Sequence, residues 1–283
     1  MKLSVFLNHI QEGARQQGIS FEEALSQVRS FGVSGIELEL ADYDREGEKL
    51  INTLRDAGFV ISWVYAFHHW DEGKNYESGE HHVDAALALG ASGILVIPGF
   101  VSEEEAVEMN RLTGDKEALF AWMDGNAKVQ GMVEGLKHMI AYADGRIPLT
   151  LEDFDGAIAP FATMNGLCYF MDRVPGLRFA MDCGNFAYSD EDAWTAFETL
   201  QDLVVHVHTK DRGEEENVKA QGLKWNKGLA AVAVGDGYMP VARVTETMLG
   251  KGYKGWFAIE HFNSPDHMTA IRRSAEFLGS FEK

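Results

Sequence analysis

The chain is short of cysteine, of positive charge and of long apolar runs. Cys168 and Cys183 are its 2 cysteines in 283 residues, too few for a disulfide framework and in keeping with a reducing, cytoplasmic compartment. Lys and Arg number 25 against 44 Asp and Glu, a formal net charge of -19. A polyanion competes poorly for nucleic-acid phosphates or an anionic bilayer, so neither is an expected partner. No stretch approaches the roughly 18 apolar residues that a transmembrane helix needs. The opening MKLSVFLNHI has one Lys and a short apolar run, and it reads as a first strand rather than a leader. The Gly-rich turn of a dinucleotide-binding sheet is also missing: FLNHIQEG follows the first apolar run.

What is present is alternation. Hydrophobic residues make up 46% of the chain, enough for a large core. Apolar runs read as strands at KLSVFL (2–7), SGIELEL (34–40), FVISWVYAF (59–67), SGILVIPG (92–99), IPLTLED (147–153), LRFAMDC (177–183), LVVHVHT (203–209) and GWFAIEHF (255–262). Amphipathic stretches follow them at 20–32, 47–58, 78–90, 127–144, 159–174, 190–201, 240–250 and 265–280. Ser20 with Glu23 predicts a capping box, and Gly32, Gly58, Gly90 and Gly252 each stop a helix just before a strand. Strict β–α alternation implies parallel strands, and eight such pairs in a chain of this size predict an α/β fold, a (β/α)8 TIM barrel forming a single domain over 1–283. The long connections 100–127 and 209–239 are expected as loops at the mouth. The Met-rich stretch 105–132 suits a lid or a homodimer contact.

In such a barrel the chemistry sits at the C-terminal strand ends. There the sequence places His68, His69 and Trp70 after strand three, Glu152 and Asp153 after strand five, and Asp182 to Asn185 after strand six. Strand seven ends in His208, Lys210 and Asp211, and strand eight ends in Glu260 and His261. Acids gathered in one mouth repel one another unless a cation neutralises them. Carboxylates with an imidazole and no cysteine suit Mn²⁺ first, with Mg²⁺, Co²⁺ or Zn²⁺ as alternatives, and do not suit a closed structural zinc site. Taken singly, these residues have plainer readings. Asp153 and Asp155 are expected to cap the next helix, His206 to be a satisfied core residue, the pair His81–His82 to be solvated or N-terminal, and Cys183 to be inert. Trp70 and Trp225 are placed in mouth loops, where an indole can stack on a sugar face.

LTLEDFD, RFAMDCGNF, VVHVHTKD, VGDGY and WFAIEHF together resemble, in order and spacing, the xylose isomerase-like barrel superfamily, also called the sugar phosphate isomerase/epimerase family. GISFEEALSQVRSFGVSGIELEL resembles that family's first helix and second strand. The resemblance implies Glu152, Asp182, His208 and Glu260 as metal ligands, with Glu152 and Glu260 doubling as the acid/base pair. It implies a metal-dependent isomerase or epimerase of a sugar or sugar phosphate, working through an enediolate. A lyase that dehydrates a polyol-derived ketone is the alternative, followed by a metal-dependent hydrolase and a non-enzymatic sugar-binding barrel. His69, Asn185, Lys210 and Arg212 are expected to face the substrate, and Asp236 in VGDGY to line the mouth. Many members carry a His three residues after the strand-six Asp, where this chain has Asn185. That departs from the ketose epimerases and from the DNA-repair endonucleases of the same superfamily.

Overall fold

A computed structural model describes residues 1–215 and 228–282. β1 (Lys2–Phe6) runs straight into α1 (Leu7–Gln17), and α2 (Phe21–Ser30) leads to β2 (Gly35–Glu39). α3 (Leu40–Glu46) and α4 (Glu48–Asp56) precede β3 (Val60–Phe67), and α5 (Glu77–Leu89) precedes β4 (Ile94–Ile97). Three helices, α6 (Glu103–Leu112), α7 (Lys116–Gly125) and α8 (Ala127–Ala143), then lead to β5 (Leu149–Glu152). α9 (Met164–Arg173) precedes β6 (Arg178–Asp182), and α10 (Ala193–Leu200) precedes β7 (Val204–Lys210). A two-stranded antiparallel pair, β8 (Arg212–Gly213) with β9 (Ala230–Ala231), comes before α11 (Val241–Gly250), β10 (Trp256–Glu260) and α12 (His267–Gly279). The eight longer strands form a closed parallel barrel in the order β1-β10-β7-β6-β5-β4-β3-β2. No helix among the described residues is long and apolar enough to cross a membrane.

Packing groups the chain into two compact units: Met1–Trp63 with Asp182–Gly184 and His206–Lys283, and Val64–Met181 with Asn185–Val205. In the first, β1 pairs with β2 and β10, and β10 pairs with β7 so that Ala258 is opposite His208 and Glu260 opposite Lys210. Its core is built on Val5, Ile36, Leu38, Val207 and Ile259. In the second, β3, β4, β5 and β6 pair in sequence, with Glu152 opposite Ala180. Val64, Ile94, Leu149, Leu151 and Phe179 fill its core. Such strands are apolar on both faces because parallel barrel strands are buried on both. A polar residue within one is therefore informative.

Local signals explain most element ends. The Ser20 hydroxyl accepts from the Glu23 N–H and starts α2, and Gly32, Gly58, Gly90 and Gly252 all take positive φ (93°, 84°, 70° and 81°). Two expectations are corrected. The connection 100–127 is largely helical, not a loop. Ser102 and Glu105 form a reciprocal capping box for α6, while Asp115 and Asn126 cap α7 and α8. Asp153 and Asp155 do not cap the following helix, which starts at Met164 on the Thr163 hydroxyl. Leu7–Gln17 is a further helix, in a stretch to which the sequence pattern assigned no element.

The segment after β3 also differs from expectation. Trp70 is only 1% exposed, so it has no free face for a sugar. Its ring lies on Gly79 of α5 and Gly135 of α8, where a Cβ at Gly135 would come within 2.2 Å of the indole. The indole N–H donates to the Asn75 carbonyl, and His68 stacks on the ring at 4.4 Å. His82 is fully buried rather than solvated, with Nδ1 3.1 Å from His68 Nε2 and Nε2 3.1 Å from the Val64 carbonyl. Trp225 lies outside the described residues. Removing the Trp70 ring leaves a cavity against two glycines with no side chain to refill it. Trp70→Ala is expected to cost about 3–5 kcal/mol. A urea titration will show this as a lower midpoint at unchanged slope.

Candidate metal centre

β7 is the strand to build from. His206, His208 and Lys210 share one face by their spacing of two, and all are buried. Lys210 is the last residue of the strand rather than a loop residue. His206 lies flat against Trp63 at 4.1 Å and 4°, and its Nε2 is 2.9 Å from Glu37 Oε2. His208 Nε2 is 3.1 Å from the other oxygen of the same carboxylate, Glu37 Oε1. On the opposite side of the His208 ring, Nδ1 lies 3.1 Å from Glu260 Oε2. The Lys210 ammonium is in close ion-pair contact with Glu260 Oε1 and 3.5 Å from Asp182 Oδ2. Asp182 Oδ1 accepts from the Gly184 N–H at 2.7 Å. A Cβ at Gly184 would meet Lys210 Cγ at 2.9 Å, so glycine there makes room for the lysine stem.

Electrostatics follow from burial. Burial alone would raise the Glu37 carboxyl, but His208 and His206 together bring it down to about 2, so Glu37 is ionised. Burial lowers His206 despite the pull of Glu37, so this ring is neutral and meets the carboxylate through an N–H. Burial likewise works to raise Glu260, and Lys210 with His208 overrides it and holds the carboxyl well below its ordinary range.

Ligand atoms of Glu152, Asp182, His208 and Glu260 all lie within 4.8 Å of one another, and all four residues are buried. The expected ligand quartet is thus brought together. Among the described residues, two other groups of buried side chains meet the same spacing, Glu37–His206–His208 and His9–His261–His267. In the first, each carboxylate oxygen already faces an imidazole N–H. In the second, the groups serve one another: the His261 backbone N–H donates to His9 Nε2, and the His261 ring Nδ1 faces His267 Nδ1 at 3.0 Å. The quartet differs in charge. Its three carboxylates and the Lys210 ammonium sum to two negative charges. With Nε2 of His208 on Glu37, Nδ1 points at a carboxylate oxygen, a contact that requires a proton or a cation between them. Three hard oxygen donors and one imidazole fit a divalent cation of the Mn²⁺ or Mg²⁺ type.

Of the residues expected to face substrate, Lys210 stands against Glu260 and Asp182. Asn185 is buried and donates to the Asp153 carbonyl at 2.9 Å. His69 is exposed on a left-handed turn with φ 52°, outside the quartet. Arg212 is buried within β8. Asp211, beside it, accepts from the backbone N–H groups of Arg212, Gly235, Gly237 and Met239, tying the ends of the 209–239 connection together. Asp236, expected to line the mouth, pairs with Arg273 of α12 at 2.6 Å. Glu37 escaped the sequence reading altogether. Its signal was an acid between Ile36 and Leu38 in a strand that a barrel buries on both faces.

The pattern of the xylose isomerase-like TIM barrel family matches residues 25–281. The chain belongs to this family. Inosose dehydratase from Clostridium perfringens (strain 13) is 26% identical over 263 residues, covering 87% of this chain and 84% of that protein. Inosose dehydratase from Lacticaseibacillus casei is 24% identical over 264 residues, with 87% and 84% covered. Among solved structures, the probable 3-DHS dehydratase involved in petrobactin synthesis from Bacillus anthracis has a TM-score of 0.69 at 17% identity, with both chains fully covered. A xylose isomerase-like TIM barrel protein from Mycobacterium smegmatis, in complex with magnesium, has a TM-score of 0.62 at 18% identity, covering 91% of this chain and 86% of that one. The family is one of enzymes, and the protein carries buried His, Asp and Glu groups positioned for a metal.

The two histidines of β7 should separate in experiment. His208→Ala is expected to abolish stoichiometric Mn²⁺ binding in calorimetry. His206→Ala should keep that stoichiometry while losing about 1–3 kcal/mol of stability, because one oxygen of a buried carboxylate loses its donor.

Proposed function

We propose that the protein is a divalent-metal-dependent lyase that removes water from a polyol-derived ketone, starting with proton abstraction next to the carbonyl. The observation that carries the reading is the buried quartet Glu152, Asp182, His208 and Glu260. Relatives matching 87% of the chain bear the name inosose dehydratase, and this supports elimination.

Glu152, Asp182, His208 and Glu260 would hold the cation. When bound, it supplies Lewis-acid stabilisation of the oxyanion that forms as a C–H beside a carbonyl is deprotonated. The chain's own groups do the rest. Glu260 is held ionised by Lys210 and His208, so it stands as a carboxylate able to take the proton from carbon. The electron pair left on that carbon expels the hydroxyl from the neighbouring carbon. The hydroxyl leaves with the proton Glu260 had taken, so the products are water and an enone. Lys210 is the N–H donor beside Glu260 and Asp182 that can hold a substrate oxygen in place. Glu152, contributed by β5, is the second carboxylate of the acid/base pair.

The same first step serves a second reading. Returning the proton to the opposite face of the same carbon epimerises it, and returning it to the neighbouring carbon isomerises the ketone. The family pattern and the fold shared with 3-keto-D-glucoside 4-epimerase from E. coli, at a TM-score of 0.60, favour that branch.

Incubating inososes, ketoses and their phosphates with Mn²⁺ in D₂O and following them by proton NMR will separate the two. Dehydration removes a carbinol signal and yields an enone or its tautomer. A product that keeps every hydroxyl, with deuterium at one inverted carbon, overturns the lyase in favour of the epimerase. Glu260→Gln should lower turnover by about 10²–10⁴-fold on whichever substrate is processed, the span usual for loss of a general base. Near-full activity of that variant would remove Glu260 from the mechanism.

A further inference from the structure

Glu37 lies on β2, outside the ligand quartet, yet it touches the imidazole of that quartet directly. Its two oxygens are divided between two rings, Oε1 to His208 Nε2 at 3.1 Å and Oε2 to His206 Nε2 at 2.9 Å. All three side chains are fully buried. A carboxylate accepts hydrogen bonds and donates none, so each facing nitrogen must carry its proton. The rings have little freedom to turn away. Trp63 lies flat on His206 at 4.1 Å, His206 meets the edge of His208 at 4.9 Å and 86°, and Phe6 meets another edge of His208 at 5.1 Å and 76°.

We propose that Glu37 is a positioning residue that pins the proton of His208 on Nε2 and so makes Nδ1 the atom presented to the metal cluster. The inference rests on the reading of His208 as a metal ligand. Nδ1 is the nitrogen already directed at Glu260, 3.1 Å away. A metal-bound imidazole generally passes its remaining N–H to a carboxylate or carbonyl, which fixes the ring and raises its basicity as a ligand. Glu37 is placed to do this. His206 is the counterweight: it occupies the second oxygen, so the carboxylate cannot rotate away from His208 without abandoning another buried N–H. Trp63 holds that counterweight in plane. On this account the apolar strands of the barrel carry a polar lever, and the twin histidines of β7 have different tasks joined by one acid from β2.

The test reads ring protonation directly. Protein labelled with ¹⁵N, assigned by comparison with the His206→Ala and His208→Ala variants, is followed by long-range ¹H–¹⁵N correlation of the histidine rings, metal-free and loaded with Mg²⁺. His208 should carry its proton on Nε2 in both states, with Nδ1 as the nitrogen whose signal moves on metal addition. Glu37→Ala should weaken Mn²⁺ binding by about 10–100-fold in calorimetry. Glu37→Asp, which restores the charge on a shorter stem, should recover part of the loss. A bare Nε2 on His208 in wild-type protein overturns the proposal, and this outcome does not depend on a Glu37 variant that folds. A folded Glu37→Ala protein with wild-type Mn²⁺ affinity overturns it as well. Wild-type protein that binds no divalent metal overturns the ligand reading beneath it, and the ring protonation measured without metal tells that failure apart.

Discussion

Buried carboxylates drawn onto one imidazole are the constraint on which the rest of this molecule depends. Like charges so close together are tolerated in a low-dielectric interior only when cations and N–H donors are arranged against them. The chain meets that demand with Lys210 at the end of β7, with the backbone of Gly184, and with a donor set of a kind that divalent metals take. The pairing of β10 with β7 places Glu260 opposite Lys210 and puts His208 one step further down the strand. Barrel strands are inclined to the axis, so residues offset along neighbouring strands still converge on one point.

The proposed chemistry branches after its first step. Proton removal beside a carbonyl is common to elimination, epimerisation and carbonyl migration, and the product depends on which substrate bond lies next to the developing electron pair. That is set by the walls around the cluster. Asp211 fixes the segment that follows β7. Four backbone N–H groups converge on its carboxylate, and burial still holds the carboxyl above its usual range. The group thereby fastens Gly235 to Met239 against the end of β7.

Much of this was legible in the chain because barrel strands advertise themselves. Continuous apolar runs, several of them preceded by a helix-ending glycine at positive φ, revealed the alternation, and polar residues at the ends of those runs pointed to Glu152, Asp182, His208 and Glu260, which the fold brings together. The features that escaped were local or long-range in a way that periodicity does not register. Ser102, Asp115 and Asn126 are cap residues that break one polar stretch into three helices, but a charge-rich stretch looks like a loop when only apolar spacing is counted. Trp70 looked free for a ligand because the partners that bury it, Gly79 and Gly135, lie far along the chain and have no side chain to announce a contact. Glu37 was hidden by an ordinary alternation of apolar and acidic residues. Only the closure of the barrel, which buries both faces, gives that acid its meaning.

The hydrogen-bonded run from Ser78 through His68 and His82 to the Val64 carbonyl, packed under Trp70, carries a consequence for the whole fold. Burial holds His68 down at about 4 and lowers His82 well below its ordinary value, so both rings are neutral in the native state near neutrality. An unfolded chain takes up a proton on each near 6.5. As acidity increases from there towards about 4, the unfolded state binds protons that the native state refuses, and the balance shifts against folding. A wedge of ring stacking that supports the barrel at neutral pH is therefore also a proton-linked weakness, and mild acid should loosen the packing beneath α5 and α8 through it.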